Sequence, residues 1–207
     1  MLYKLHSFCL LILLSAILGT APSFAQDPNF IGKKIQDFQL RSTDRSMISL
    51  TTFKNAKGFI IVFTCNHCPF AKLYTQRLNA LNQRYQPMGV PLLAINSMDS
   101  LVYKEESFVS MQKKAQSASF HFYYLQDPSQ AVGKMFDARH TPQAFVVWKD
   151  KEDWILKYAG AIDDNGENPS KARSYVGEAV NELLAGKPVA VQETASFGCR
   201  IFYRKNQ

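Results

Sequence analysis

Five apolar residues without interruption, Phe59-Ile60-Ile61-Val62-Phe63, run into Cys65-Asn66-His67-Cys68-Pro69, and a helical stripe starts at once behind them. A short strand that is apolar on both faces needs cover on both faces, which restricts the chain to a sheet with layers on either side. Phe70, Leu73, Tyr74, Leu78, Leu81 and Tyr85 fall on one face of a helix from Pro69 to Gln86. Two cysteines three apart where a strand hands over to a helix can close a small reversible disulfide. The outer sulfur there meets unpaired backbone N–H groups and the positive end of the helix dipole, and both favour the reactive thiolate.

The rest of the chain alternates strand and helix signals. Ile35 to Leu40 and Met47 to Leu50, joined by Ser42-Thr43-Asp44-Arg45, read as a leading hairpin. Val90 to Ile95 is a second wholly apolar strand after Met88-Gly89, Lys104 to Ala118 is helical, and Phe120 to Leu125 is strand-like. Asp127-Pro128-Ser129 opens a short helix through Phe136, Ala144 to Trp148 and Trp154 to Ala159 form a hairpin, and Lys171 to Ala185 is a closing amphipathic helix. The order predicts an α/β fold with a central mixed sheet flanked by helices and an extra N-terminal β-hairpin. In such open sheets chemistry collects at the carboxyl ends of the strands, where Cys65 stands.

Residues 1–25 carry Lys4, an apolar stretch from Phe8 to Leu18 and the small-x-small pattern Ser23-Phe24-Ala25, which predicts a signal peptide cleaved after Ala25 and a periplasmic or secreted domain over 26–207. An uncleaved N-terminal anchor is the alternative; after cleavage no stable membrane insertion is expected. Cleavage leaves 182 of the 207 residues, one domain's worth, and lowers the formal charge from +7 to +6 by removing Lys4. The remaining cations are scattered, Lys33-Lys34 and Lys113-Lys114 being the densest pairs, so nucleic acid is not an expected partner. Of four cysteines, Cys9 leaves with the signal peptide, and Cys65, Cys68 and Cys199 remain. If Cys65 pairs with Cys68, Cys199 is left as an inert thiol, an intermolecular partner or a third participant in the chemistry.

Taken together, Cys65-Asn66-His67-Cys68-Pro69, Arg139-His140-Thr141-Pro142, the stretch from Tyr158 to Asn165, Gly198-Cys199 and the leading hairpin resemble the thioredoxin fold. Within it they resemble a peroxiredoxin-like, AhpC/TSA-related redoxin family that carries a thioredoxin-type C-x-x-C. That resemblance implies an oxidoreductase exchanging disulfides with thiol- or disulfide-bearing proteins, recycled by an upstream redox protein, with no cofactor and no metal. It further implies Cys65 as the solvent-facing attacking thiolate, Cys68 as the resolving thiol, and Thr141-Pro142 as a cis-proline loop whose Thr141 backbone meets an extended partner. His67, between the cysteines, implies a potential above thioredoxin's roughly −270 mV through support of the Cys65 thiolate; the plainer reading is an exposed loop histidine.

The departures matter too. The acid that thioredoxins bury six residues before the first cysteine is replaced by Phe59, and the aromatic before that cysteine by Thr64. Glu105, Glu106, His140 and Asp163 stand at strand ends as candidate proton carriers, with surface roles the expected default, and Asp163-Asp164-Asn165 reads as a solvated turn. A peroxidase acting on small hydroperoxides is the second reading, with Cys68 as peroxidatic cysteine, Arg139 as its cation and Cys199 as resolving thiol. The Thr or Ser that peroxiredoxins place three residues earlier is Cys65 here. Copper handling by Cys65, Cys68 and His140 is a third.

Overall fold

The computed structural model describes residues 30–205; the stretch 1–25 expected to be a signal peptide lies outside them. No helix among the described residues is long and apolar enough to cross a membrane.

The chain enters as β1 (Lys34–Ile35), β2 (Gln39–Ser42) and β3 (Met47–Ser49), followed by β4 (Gly58–Phe63), α1 (Pro69–Leu73) and α2 (Thr75–Tyr85). Then come β5 (Leu92–Asn96), α3 (Phe108–Ser117), β6 (Tyr123–Gln126), α4 (Ala131–Met135), β7 (His140–Thr141), β8 (Gln143–Asp150), β9 (Asp153–Gly160), α5 (Tyr175–Leu184) and β10 (Cys199–Arg200). Eight strands form one mixed sheet in the order β1-β9-β8-β4-β5-β6-β2-β3, and β7 pairs with β10 beside it.

β4 is central because every residue of it is buried, and it satisfies both backbone edges by pairing parallel with β5 and antiparallel with β8. Its side chains obey the period of two. Phe59, Ile61 and Phe63 join a core with Phe136, Phe145 and Leu156 on one face. Ile60 and Val62 join Leu78, Tyr85, Tyr124 and Val180 on the other. Each large side chain so buried contributes about 1.5–3 kcal/mol. Cys65 and Cys68 belong to the first of these cores. Ser107 and Ser174 start α3 and α5 by accepting the N–H of Ser110 and Gly177 with their hydroxyls.

Three expectations change. The stretch Ile35 to Leu40 is not one strand: Ile35 pairs with Trp154 at one edge of the sheet, while Leu40 pairs with Ile48 at the other. The leading hairpin is therefore β2–β3, and the chain crosses the molecule to reach it. The helix from Pro69 divides at Tyr74, whose N–H bonds to Ala71, three residues back, as its phenol donates to the buried Asp163. Asp163 is not a solvated turn. It is 3 % exposed and receives Arg77 Nη1 at 2.6 Å, and Arg77 also donates to the carbonyls of Asn165 and Gly166, so the acidic loop is clamped onto α2.

Candidate functional site

The carboxyl end of β4 leads through the buried Thr64 to Cys65 in the first core, and Cys68 is the residue before α1, with Pro69 in the first turn where its missing N–H costs little. Both cysteines are buried, Cys65 at 4 % exposure and Cys68 at 0 %. They meet at one residue. Cys65 Sγ lies 3.1 Å from Thr141 Oγ1, and Cys68 Sγ lies 3.1 Å from the Thr141 carbonyl oxygen. The Thr141–Pro142 peptide is cis, and the loop before it is closed by Gln143 Oε1, which accepts the N–H groups of Arg139 and His140.

The pairing differs from the one the spacing suggests. Cys68 is disulfide-bonded to Cys199, 131 residues away, and among the described residues Cys65 is the free thiol. What overrides proximity in sequence is the C-terminal segment. β10 runs antiparallel to β7 with Cys199 opposite Thr141, and Thr141 Oγ1 donates to the Cys199 carbonyl at 3.5 Å. Gly198, at φ 151°, makes the approach possible, since a Cβ there would overlap the Thr141 carbonyl. Of the three described cysteines, Cys199 is the one only partly buried. The edge of Thr141 expected to receive a partner chain is thus occupied by this chain's own end.

The acid of the site is Glu106, and it is no surface residue: it is 1 % exposed. Its carboxyl oxygens accept the backbone N–H groups of Asn66 (2.9 Å) and His67 (2.9 Å) and Asn96 Nδ2 (2.6 Å), and lie 2.6 Å from His67 Nδ1. Tyr124 donates to Asn66 Oδ1, and Asn66 Nδ2 donates to the Glu105 carbonyl, so the two residues between the cysteines are pinned from behind. The sequence does not single out Asn96, Tyr124 or Gln143. Each is an ordinary polar residue next to a strand end, and its role depends on what another element brings to it.

These surroundings set the thiol of Cys65 contrary to expectation. Burial disfavours its thiolate, the Thr141 hydroxyl partly offsets that, the charge of Glu106 opposes ionisation again, and the N–H groups of Cys68 and His67 help it. The balance pushes the Cys65 pKa up to about 11, so near neutral pH it is a protonated thiol. His67 lies with its ring stacked on Tyr103 and bonded to Glu106.

Two other candidates do not join the cysteines. Arg139 directs Nε and Nη2 to Asp137 at 3.1 and 2.6 Å. His140 faces Ser196 Oγ at 3.2 Å, and burial together with the charges of Arg139 and Arg200 lowers its pKa. Cys65, His67 and Glu106 do present ligand atoms within 4.8 Å of one another. Glu106, however, is saturated with hydrogen-bond donors, which leaves little lone-pair capacity for a cation.

No functionally curated protein matches the chain. An uncharacterised conserved protein from Geobacillus kaustophilus superposes with a TM-score of 0.77 at 33% identity, covering 86% of this chain and 94% of its own. A hypothetical protein from Sinorhizobium meliloti 1021 gives 0.75 at 29%, covering 85% and 96%. A thiol:disulfide interchange protein DsbE, described as putative, from Chlorobium tepidum shares the fold at a TM-score of 0.54 and 15% identity, covering 75% of this chain and 96% of that one. The fold is thioredoxin-like, and the AhpC/TSA family profile matches residues 31–155, more than half of the sequence. The chain belongs to the AhpC/TSA family.

Proposed function

We propose that this protein is an exported thiol–disulfide oxidoreductase that exchanges its Cys68–Cys199 disulfide with protein thiols. One observation carries the reading: a closed disulfide and a third thiol are gathered on a single residue, Thr141. Attack enters at Cys199, the cysteine of the pair that is not fully buried. A partner thiolate forms a bond to Cys199 Sγ, the Cys68–Cys199 bond breaks, and Cys68 leaves as the thiolate. A second partner thiol then releases the first as a disulfide, and a separate redox protein restores the oxidised state. The exposed rings of Phe70 and Phe197, in edge contact at 6.3 Å, each stand two residues from a cysteine of the disulfide and give an apolar partner segment something to rest on. A disulfide held in the resting protein and the N-terminal export pattern both fit an oxidising compartment.

The test is mixed-disulfide capture. Oxidised Cys68→Ser protein, with Cys199 activated as a small-molecule disulfide, is expected to retain thiol-bearing proteins covalently at Cys199. Oxidised wild type is expected to be reduced by protein dithiols in step with partner oxidation. Wild type whose Cys68–Cys199 bond survives such dithiols defeats the proposal.

Peroxide reduction is the second reading, favoured by the long-range pairing itself. In it Cys68 thiolate takes one oxygen from a hydroperoxide, releasing the alcohol or water, and Cys199 then condenses with the sulfenic acid to expel water. Against it stands the engagement of Arg139 with Asp137. Following Trp148 and Trp154 fluorescence while reduced protein meets hydrogen peroxide separates the two: oxidation no faster than that of a free thiolate supports disulfide exchange, and fast oxidation lost in Cys68→Ser supports the peroxidase.

A further inference from the structure

Resting on that exchange chemistry, we infer that the disulfide migrates inside the molecule, Cys65 attacking Cys68 to give a Cys65–Cys68 disulfide and releasing Cys199 as a thiol. The step balances without a co-reactant. Cys65 loses its proton, the new S–S bond forms as the Cys68–Cys199 bond breaks, and the Cys199 thiolate takes up a proton from solvent.

Three observations carry it. The sulfurs of Cys65 and Cys68 each lie 3.1 Å from the same residue, at the hydroxyl and the carbonyl oxygen of Thr141. The backbone N–H groups of Cys68 and His67 favour the Cys65 thiolate when it forms, the His67 N–H being shared with Glu106. Finally, Cys199 stays in place after its bond is broken, because the disulfide is not what holds its segment. Upstream, Thr194 donates its N–H to the Ala159 carbonyl, and Ala159 donates to Gln192. Downstream, the Ile201 N–H reaches Arg139, the Tyr203 hydroxyl reaches Ala138, Gln130 Nε2 reaches the Phe202 carbonyl, and the Arg204 N–H returns to Gln130 Oε1. A released Cys199 remains beside Cys68 at high effective concentration, so the migration is reversible. Cys68 is the sulfur common to both states, and Thr141 is a positioning residue for all three.

The experiment places oxidised full-length protein at pH 7, 8 and 9, quenches samples in acid, unfolds them and labels free thiols with N-ethylmaleimide under acidic conditions. Label on Cys65 reports Cys68–Cys199; label on Cys199 reports Cys65–Cys68. Label is expected on both, with Cys199 labelling appearing about tenfold faster per pH unit, as the Cys65 thiolate fraction grows. Cys65→Ser should show none on Cys199. Wild type labelled on Cys65 alone at every pH overturns the inference, and that result needs no variant to fold. Reduction by glutathione, measured alongside, keeps the two readings apart: reduction without migration removes only the internal step, and migration without reduction removes the exchange function while leaving the internal step standing.

Discussion

At the scale of a residue, Glu106 carries the most weight. A carboxyl group that is 1 % exposed and ringed by two backbone N–H groups, an imidazole and an amide organises the turn between the cysteines while its charge opposes the ionisation of Cys65. Those two effects separate on substitution. Glu106→Gln keeps the shape and one acceptor oxygen but removes the charge, so the Cys65 pKa should drop below about 11, and alkylation of Cys65 at pH 8 should speed up. The same change places an amide NH2 among donors, and should cost about 1–3 kcal/mol of stability, read from the urea midpoint. An unchanged pH profile of alkylation would show that the charge of Glu106 does not reach the sulfur. Nothing in the neighbourhood of Glu106 in sequence announces this role, since Lys104, Glu105 and Ser107 are typical surface residues. Its burial is decided by Asn66, His67 and Asn96, which lie on other elements.

At the scale of an element, the C-terminal segment decides which cysteines pair. Gly198 is its critical position: a side chain there meets the Thr141 carbonyl, and φ 151° is backbone that other residues avoid. Gly198→Ala should push Cys199 away from Cys68 and shift the disulfide toward Cys65–Cys68, which peptide mapping under non-reducing conditions would detect. Retention of Cys68–Cys199 in that variant would show that the segment has room to give. The elements legible in the sequence are those whose pattern is local. β4 and β5 declare themselves by unbroken apolar runs, β8 and β9 by a hairpin, and α5 by Val176, Ala179 and Val180 on one buried face. The two-residue strands β7 and β10 carry no period at all, and their pairing joins positions about sixty residues apart. For that reason the C-x-x-C stood out in the sequence while the pairing of Cys68 stayed divided between two readings: spacing speaks for Cys65, the peroxidase reading for Cys199, and only tertiary structure decides for Cys199. The division of the helix at Tyr74 was hidden in the same way, because it follows a contact with Asp163 at the far end of β9.

At the scale of the molecule, two cores separated by one sheet leave several phenols in apolar surroundings. Burial raises the pKa of Tyr74, Tyr85, Tyr124, Tyr158 and Tyr203 above the ordinary 10.0, and that of Cys65 to about 11 from 9.0. Groups that hold protons more tightly when folded contribute stability in full below their unfolded pKa and lose it as pH rises through the folded value. Urea midpoints should therefore be level from neutral pH to about 8.5 and fall steeply from 9 through 11. A midpoint flat to pH 11 would mean that these groups are not shielded as the packing indicates. On the acid side, His140 is held neutral, so stability should also slip as pH drops below its ordinary 6.5.

The 131 residues between Cys68 and Cys199 also have a meaning in time. A chain emerges from synthesis at about 5–20 residues per second, so roughly 7 to 26 seconds pass between the two cysteines. Throughout that interval Cys65 is the cysteine within reach of Cys68 in a chain that threads outward from its N-terminal end. Oxidation during emergence would close the adjacent pair first, and the bond seen in the finished protein would be reached by rearrangement once Cys199 arrives, making the molecule the first substrate of its own exchange chemistry.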